Sequence, residues 1–325
     1  MTTKQTPIHS GFGPQTTARE AIGNRRLDGL VAIVTGGYAG VGFETTRTLA
    51  GAGATVIVPA RSLDKARKAL TGMNRVEIES LDLIDPKSID EFSARFLATG
   101  RPVHFLINNA GIMATPFVRD ARGFESQLGT NHLGHFQLTM RLWPALLNAD
   151  GARVISLSSR GHIRSGIDFD DPNFERRPYD KWIAYGQSKT ATALFAVALD
   201  ARGEAHGVRA FSVHPGAVIT ELMRSMSEEE VASAVARARD IGTFKNTEQG
   251  AATSVWCATS SQLDGMGGVY CEDCDIAEAV PPDFPEQRGV RPWAMDPGFA
   301  ERLWTMSEAW TGARLTQPRA GSTAP

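Results

Sequence analysis

Tyr185 and Lys189 stand four residues apart in YGQSK, within a stretch of helical pattern, so both side chains fall on one helix face. A free phenol has a pKa near 10, too high for easy proton exchange at neutral pH. A neighbouring ammonium favours the phenolate and brings that exchange within reach. A second chemical feature is TGGYAGVG, Thr35–Gly42, directly after the apolar run VAIVT and directly before a helical stretch. A pyrophosphate carries charge that must be met without bulk. Glycines let the backbone turn tightly and approach it, and a helix N-terminus supplies unpaired N–H groups with a partial positive charge. Gly36, Gly40 and Gly42 fall where those needs arise.

The rest of the chain supplies the frame. Val31–Thr35, Thr55–Pro59, Val103–Asn108, Arg153–Leu157 and Arg209–Val213 are short apolar runs rich in β-branched residues, the mark of parallel strands covered on both faces. Helical stretches alternate with them: Phe43–Ala52, Asp64–Thr71, Ser88–Ala98 with Ser88 as N-cap and Glu91 completing a capping box, Asn131–Leu147, and Tyr185–Ala205. This alternation predicts an α/β fold in one domain: a Rossmann-type doubly wound parallel sheet of about seven strands with helices on both faces. Residues 1–27 read as an N-terminal extension, 28–280 as the dinucleotide-binding catalytic domain, and 281–325 as a tail partly packed on the body through Trp293, Trp304 and Trp310. Two excursions, 160–184 and 217–248 (the latter with a helix over Ser227–Arg239), lie where a doubly wound sheet builds its ligand crevice.

Composition excludes several classes. The chain has 325 residues, 42% apolar and 22% charged, with net charge −2; this is globular, with no electrostatic reason to bind nucleic acid. No apolar run approaches the roughly 18 residues of a membrane span, and the opening MTTKQTPIHSGFG lacks an apolar core, so a cytoplasmic address is expected. Cys257, Cys271 and Cys274 make a poor disulfide framework, and the C-x-x-C of Cys271 and Cys274 has no second ligand pair for zinc. His132 and His135 are spaced i, i+3 without a carboxylate to complete a metal site, and with His162 they read as core or surface histidines; no metal is expected.

The glycine spacing G-x-x-x-G-x-G behind Thr35, NNAG at Asn108–Gly111, Asn131 in TNHLGHF, SLSS at Ser156–Ser159, Tyr185 with Lys189, and HPGAVIT at His214–Thr220 follow one another in the order of the short-chain dehydrogenase/reductase family, which the chain resembles over residues 28–275. INNAGIM, the long stretch between Ser159 and Tyr185, and the closing GVYCEDC resemble the branch of retinol dehydrogenases and WW-domain oxidoreductase relatives. The resemblance implies a catalytic set of Asn131, Ser159, Tyr185 and Lys189. Ser159 would bond the substrate oxygen, Tyr185 would act as general acid/base, Lys189 would also hold the nicotinamide ribose, and the Asn131 amide would hold a water that links Lys189 to solvent. Ser158 would be backbone support. It further implies cofactor contacts at Thr35, Gly36, Tyr38, Gly40, Val41, Gly42, Asp82, Leu83, Asn109, Ala110 and Gly111. Tyr185, Lys189, Pro215, Gly216, Val218 and Thr220 would complete that set.

After the second strand the chain carries Arg61 and Ser62 where an NAD enzyme has an acid. A carboxylate would repel a 2′-phosphate and a guanidinium binds it, so NADP(H) is the expected cofactor. The expected reaction interconverts a carbonyl and an alcohol on a lipophilic small molecule, in a pocket lined by Phe169, Phe174, Tyr179 and Trp182. Two other readings stay open: reduction of a conjugated C=C bond, and a non-catalytic NADP-sensing module. The resemblance also admits a homodimer or homotetramer.

Overall fold

The β-branched runs become strands whose alternate residues enter two different cores. In order they are β1 (Val31–Val34), β2 (Thr55–Ala60), β3 (Val76–Ser80), β4 (Phe105–Asn108), β5 (Arg153–Leu157), β6 (Arg209–His214), β7 (Ala217–Val218), β8 (Phe244–Lys245), β9 (Val269–Glu272) and β10 (Asp275–Ile276). Ile33, Ile57, Leu106 and Val154 point to one face of the sheet, whereas Val34, Val56, Ile107 and Ile155 point to the other. The helices are α1 (Ala18–Ile22), α2 (Gly40–Gly51), α3 (Leu63–Ala69), α4 (Pro86–Ala98), α5 (Ser126–Leu128), α6 (Gly134–Leu147), α7 (Lys181–Gly203), α8 (Glu228–Asp240), α9 (Thr247–Thr259) and α10 (Pro297–Thr311). α4, α6, α7 and α10 cover the first face, and α1, α2 and α9 the second. The computed structural model describes residues 3–240 and 244–316. Residues 1–2, 241–243 and 317–325 lie outside them, and with them the start of the expected extension, the end of the tail and three residues after α8 in the 217–248 excursion. No helix among the described residues is long and apolar enough to cross a membrane.

The main sheet has eight strands in the order β3-β2-β1-β4-β5-β6-β9-β10, parallel except for the β9–β10 pair. The order reverses between β1 and β4, and such a switch point opens a crevice at the carboxyl ends of the strands. The eighth strand, two residues long, goes beyond the seven or so that strand-like runs suggest; a hairpin turn at Asp273–Cys274 forms it.

Local chemistry shifts several helix boundaries. α4 begins at Pro86 with Asp85 as its cap, whose carboxylate accepts from Lys87 N at 3.0 Å. Pro at the first helical position needs no N–H partner. Ser88 is therefore not the cap, and its Oγ accepts from Asp82 N instead. α7 begins at Lys181, capped by Asp180, so Tyr185 sits past the first turn and not at the start. The helix expected to open at Asn131 starts earlier, capped by Glu125, and runs through a π-helical turn, Gly129–Leu133, into α6.

Residues 5–10 and α10 are knitted to the body. The Gln5 side chain accepts from Tyr270 N at 2.9 Å and donates to Tyr270 O at 2.8 Å and to Ala277 O at 2.7 Å. Ile8 N and Ser10 N donate to Asp275. α10 packs on α7, with Trp304 against Phe136 and Phe195, and Ser307 Oγ lies 2.7 Å from His132 Nε2.

Candidate active site

The crevice at the switch point begins with Thr35, whose buried hydroxyl is a hub. It accepts from Asn109 N at 2.9 Å and Ala110 N at 3.0 Å and lies 3.0 Å from His135 Nε2. Asn109 Nδ2 donates back to Thr35 O at 2.7 Å. The ends of β1 and β4 are thus locked together, and little space is left between them. A Cβ on Gly42 would stand 2.4 Å from Asn109 Nδ2 and 2.6 Å from Gly36 O. Gly37, which the spacing pattern passes over, is as confined: its Cβ would meet Thr46 Oγ1 at 2.5 Å. α2 starts behind this loop at Gly40 with Ala39 as a cap that has no side-chain bond. Its first-turn N–H groups therefore keep the polarity that binds an anion. The residues present fit a dinucleotide pyrophosphate: a cradle without Cβ atoms and an uncapped helix N-terminus.

Val41 is buried, and Tyr38 lines a groove of about 430 Å³ with Ala39, Lys65, Lys68, Ala69 and Glu221. Arg61 is exposed at the carboxyl end of β2, and Ser62 opens α3 without giving its hydroxyl to the helix. Sequence reasoning passed over Lys65 and Lys68, because only the α3 turn brings them to this groove. Asp82 turns the chain after β3, its Oδ1 accepting from Ile84 N. The Leu83 carbonyl lies 2.3 Å from where a Gly134 Cβ would be, which explains the glycine that opens α6. Gly111 faces Asn131 Oδ1 and Lys189 Nζ, 3.1 and 3.7 Å from its would-be Cβ.

At the end of β5, Ser159 is extended (φ −166°) and caps a 3₁₀ turn, its Oγ accepting from Gly161 N at 3.0 Å. Tyr185 lies beside Ser159: a Cβ on Gly161 would stand 3.5 Å from Ser159 Oγ and against the Tyr185 ring, meeting Cε1 at 2.7 Å and Cδ1 at 2.9 Å. Only glycine lets the serine turn and the ring come so close, and no sequence pattern marks it. Ser158 Oγ donates to Lys189 O at 2.7 Å and ties β5 to α7. Lys189 is buried, and its Nζ donates to Leu157 O at 2.7 Å.

Two expectations change here. The Lys189 ammonium, together with an oxidised nicotinamide ring, was expected to lower the phenol of Tyr185; in the chain without cofactor burial pushes Tyr185 up to about 12, opposed only by Ser159. The reason is geometric: Nζ lies 5.7 Å from the ring centroid and is turned to the Leu157 carbonyl. Burial lowers Lys189 itself to about 8. The second change concerns Asn131. Its amide is committed to Ile112, accepting from Ile112 N at 2.9 Å and donating to Ile112 O at 3.0 Å, and to Ser188 Oγ at 2.9 Å. It pins the loop after β4 to α7, with both Nδ2 hydrogens committed and the second lone pair of Oδ1 left for the expected water. The Asn131 carbonyl lies 3.1 Å from His135 Nδ1. That ring, held neutral by burial (pKa about 4), links Asn131 to Thr35.

On the far side, Gly216 has φ +92° and Val218 packs where a Gly250 Cβ would be, 2.8 Å away. Thr220 lies over the phosphate loop, its Cγ2 2.9 Å from a would-be Gly40 Cβ, and its Oγ1 accepts from Leu222 N. Pro215, Gly216, Val218 and Thr220 therefore close on the same crevice. The aromatics of the first excursion serve the scaffold instead. Phe169 packs at a tilt on Phe299 of the tail, Phe174 and Tyr179 pack on each other, and Trp182 meets Arg164. His162 is likewise structural: Nδ1 lies 2.8 Å from Ser159 O, Nε2 accepts from Arg291 N, and Trp293 Nε1 donates to its carbonyl. The three cysteines are buried thiols, and burial pushes Cys274 up to about 12.

A family model described as short chain dehydrogenase matches residues 30–231. The chain is 42% identical to a "Probable oxidoreductase" of Streptomyces lividans, over 86% of this chain and 96% of that protein. It is 38% identical to retinol dehydrogenase 12 of Mus musculus, over 87% of each. A crystal structure of an uncharacterized protein from Mycobacterium Paratuberculosis superposes with a TM-score of 0.71 at 32% identity, covering 91% of this chain and 98% of that one.

Proposed function

The chain belongs to the short chain dehydrogenase family, and from that premise we propose an NADP(H)-dependent oxidoreductase that interconverts a carbonyl and an alcohol on a lipophilic small molecule, with Tyr185 as general acid/base. The observation that carries this reading is the convergence of the Tyr185 ring and Ser159 Oγ on Gly161 beside a glycine-lined crevice, with Lys189 one helical turn behind. A nicotinamide cofactor held there would supply the hydride acceptor or donor. Ser159 would hold the substrate oxygen by hydrogen bonding as charge develops on it. Tyr185, protonated at neutral pH because burial holds it up at about 12, would deliver its proton to that oxygen in the reducing direction. Lys189 and Asn131 would keep the strand ends and α7 in register behind the pair.

Lys65 and Lys68 on the groove, with Arg61 at the carboxyl end of β2 where an acid would otherwise stand, support a 2′-phosphate and outnumber Glu221 on the same groove. The exposed Phe117, Val118 and Ile219 support an apolar substrate, as do the relatives named for retinol, a lipophilic alcohol.

The test is consumption of NADPH over a panel of aldehydes, ketones and enones, with NADH in parallel. Tyr185→Phe should lower turnover at least about a thousandfold while leaving cofactor affinity near its original value. Arg61→Asp should shift the NADPH-to-NADH preference by about ten- to a hundredfold toward NADH. Full activity in the first variant would overturn the mechanism, and an unchanged preference in the second the cofactor assignment.

A further inference from the structure

The segment CEDC, Cys271–Cys274, has no redox or metal role in the arrangement above, yet it ends in a specific contact. Asp273 and Cys274 both have positive φ, +52° and +60°, and join β9 to β10 through a two-residue turn. Cys274 N donates to Thr253 Oγ1 of α9 at 3.1 Å. Asp273 Oδ1 receives Lys245 Nζ at 2.5 Å. Lys245 is 4% exposed, an unusual burial for a lysine, while Asp273 keeps 44% of its side chain in solvent.

The lysine stem lies directly beneath Gly216. A Cβ on that glycine would meet Lys245 Cδ at 2.6 Å and Cε at 2.9 Å. Lys245 also pairs with Val218 in the two-stranded β7–β8 ladder. The Pro215–Val218 backbone is thus carried by β8, and β8 is tethered through one ion pair to the β9–β10 turn.

We infer that Lys245, paired with Asp273, is the positioning residue for the nicotinamide end of the cofactor: it holds Gly216–Val218 in place while touching neither cofactor nor substrate. The inference rests on the proposed cofactor site. Losing the pair removes the tie between β8 and the β9–β10 turn and loosens the backbone on that side of the crevice. The pair touches neither the phosphate loop nor the lysines of the α3 groove, so the adenosine end changes less than the nicotinamide end.

The experiment compares Lys245→Met, which keeps the packing stem, with Asp273→Asn, which keeps a residue tolerant of the left-handed turn, and with the double variant. Dissociation constants are measured for NADPH and for adenosine 2′,5′-bisphosphate, which lacks the nicotinamide half. Each single variant should weaken NADPH about tenfold, the double variant no further, and adenosine bisphosphate should lose less than NADPH. Equal weakening of both ligands, additive losses, or unchanged NADPH affinity in folded variants would each overturn the inference. Failure of the parent chain to bind either ligand would instead overturn the reading of the crevice on which it rests.

Discussion

Gly42 and Lys189 stand at two ends of one crevice and are confined by different means. Around Gly42 the limits are distances: Asn109 Nδ2 and Gly36 O stand 2.4 and 2.6 Å from a Cβ that does not exist. Around Lys189 the limits are dielectric: the ammonium is out of water, bonded to a single carbonyl, and lowered to about 8. The phosphate end is built by removing atoms, and the catalytic end by removing solvent. Crowding should therefore damage the first end and a change of charge the second.

The largest expected effect is at Lys189. Lys189→Met should lower turnover about a thousandfold, yet make the cofactor-free protein more stable at pH 7. With a folded pKa of about 8 against an ordinary 10.5, the unfolded chain binds more protons between those values. Stability then rises with pH across that window. Below pH 8 the buried charge is present in full, a burden of about 3 kcal/mol. The gain in Tm of the variant should shrink as pH is raised from 8 toward 10.5, which thermal melts over that range will read. A variant less stable than the parent at pH 7 would mean that the ammonium is well compensated and the contrast with Gly42 is wrong.

Gly42→Ala comes next. It should weaken cofactor binding about a hundredfold, since Asn109 must leave Thr35. Melts should show a loss of about 1–3 kcal/mol. Binding within threefold of the parent would show that the loop can give way. Gly161→Ala brings the steric rule to the catalytic end, and its effect should be the smallest. Its Cβ would push on Tyr185, lowering kcat about tenfold with cofactor affinity unchanged. Steady-state kinetics beside a cofactor titration separate the two.

The legible parts of the molecule are those whose cause is local. The strand runs, the glycine spacing and the i, i+4 relation of Tyr185 to Lys189 are written in consecutive residues, and the sheet and the crevice follow from them. What stayed hidden depends on partners far along the chain. The Asn131 amide is a loop pin because Ile112 and Ser188 meet it, 19 and 57 residues away. In FKNTEQG, Lys245 is an ordinary charge until the fold brings Asp273 to it. Cys271 and Cys274 suggest thiol chemistry by spacing, whereas the left-handed backbone between them makes their spacing that of a hairpin turn. The aromatics between Phe169 and Trp182 were expected at the substrate, but the C-terminal tail and nearby arginines engage them.

The Gln5 amide bears on how the protein is made for study. With its oxygen on Tyr270 N and its nitrogen on Tyr270 O, that side chain does the work of a neighbouring peptide unit at the border of the sheet. A recombinant chain trimmed to begin at the first strand would leave Tyr270 N and Ala277 O without the Gln5 amide, and uncovered backbone groups of this kind recruit other chains. Low yield or clumping of such a trimmed preparation would then reflect the missing glutamine, and restoring residues 3–10 should cure it before any change to the crevice is considered.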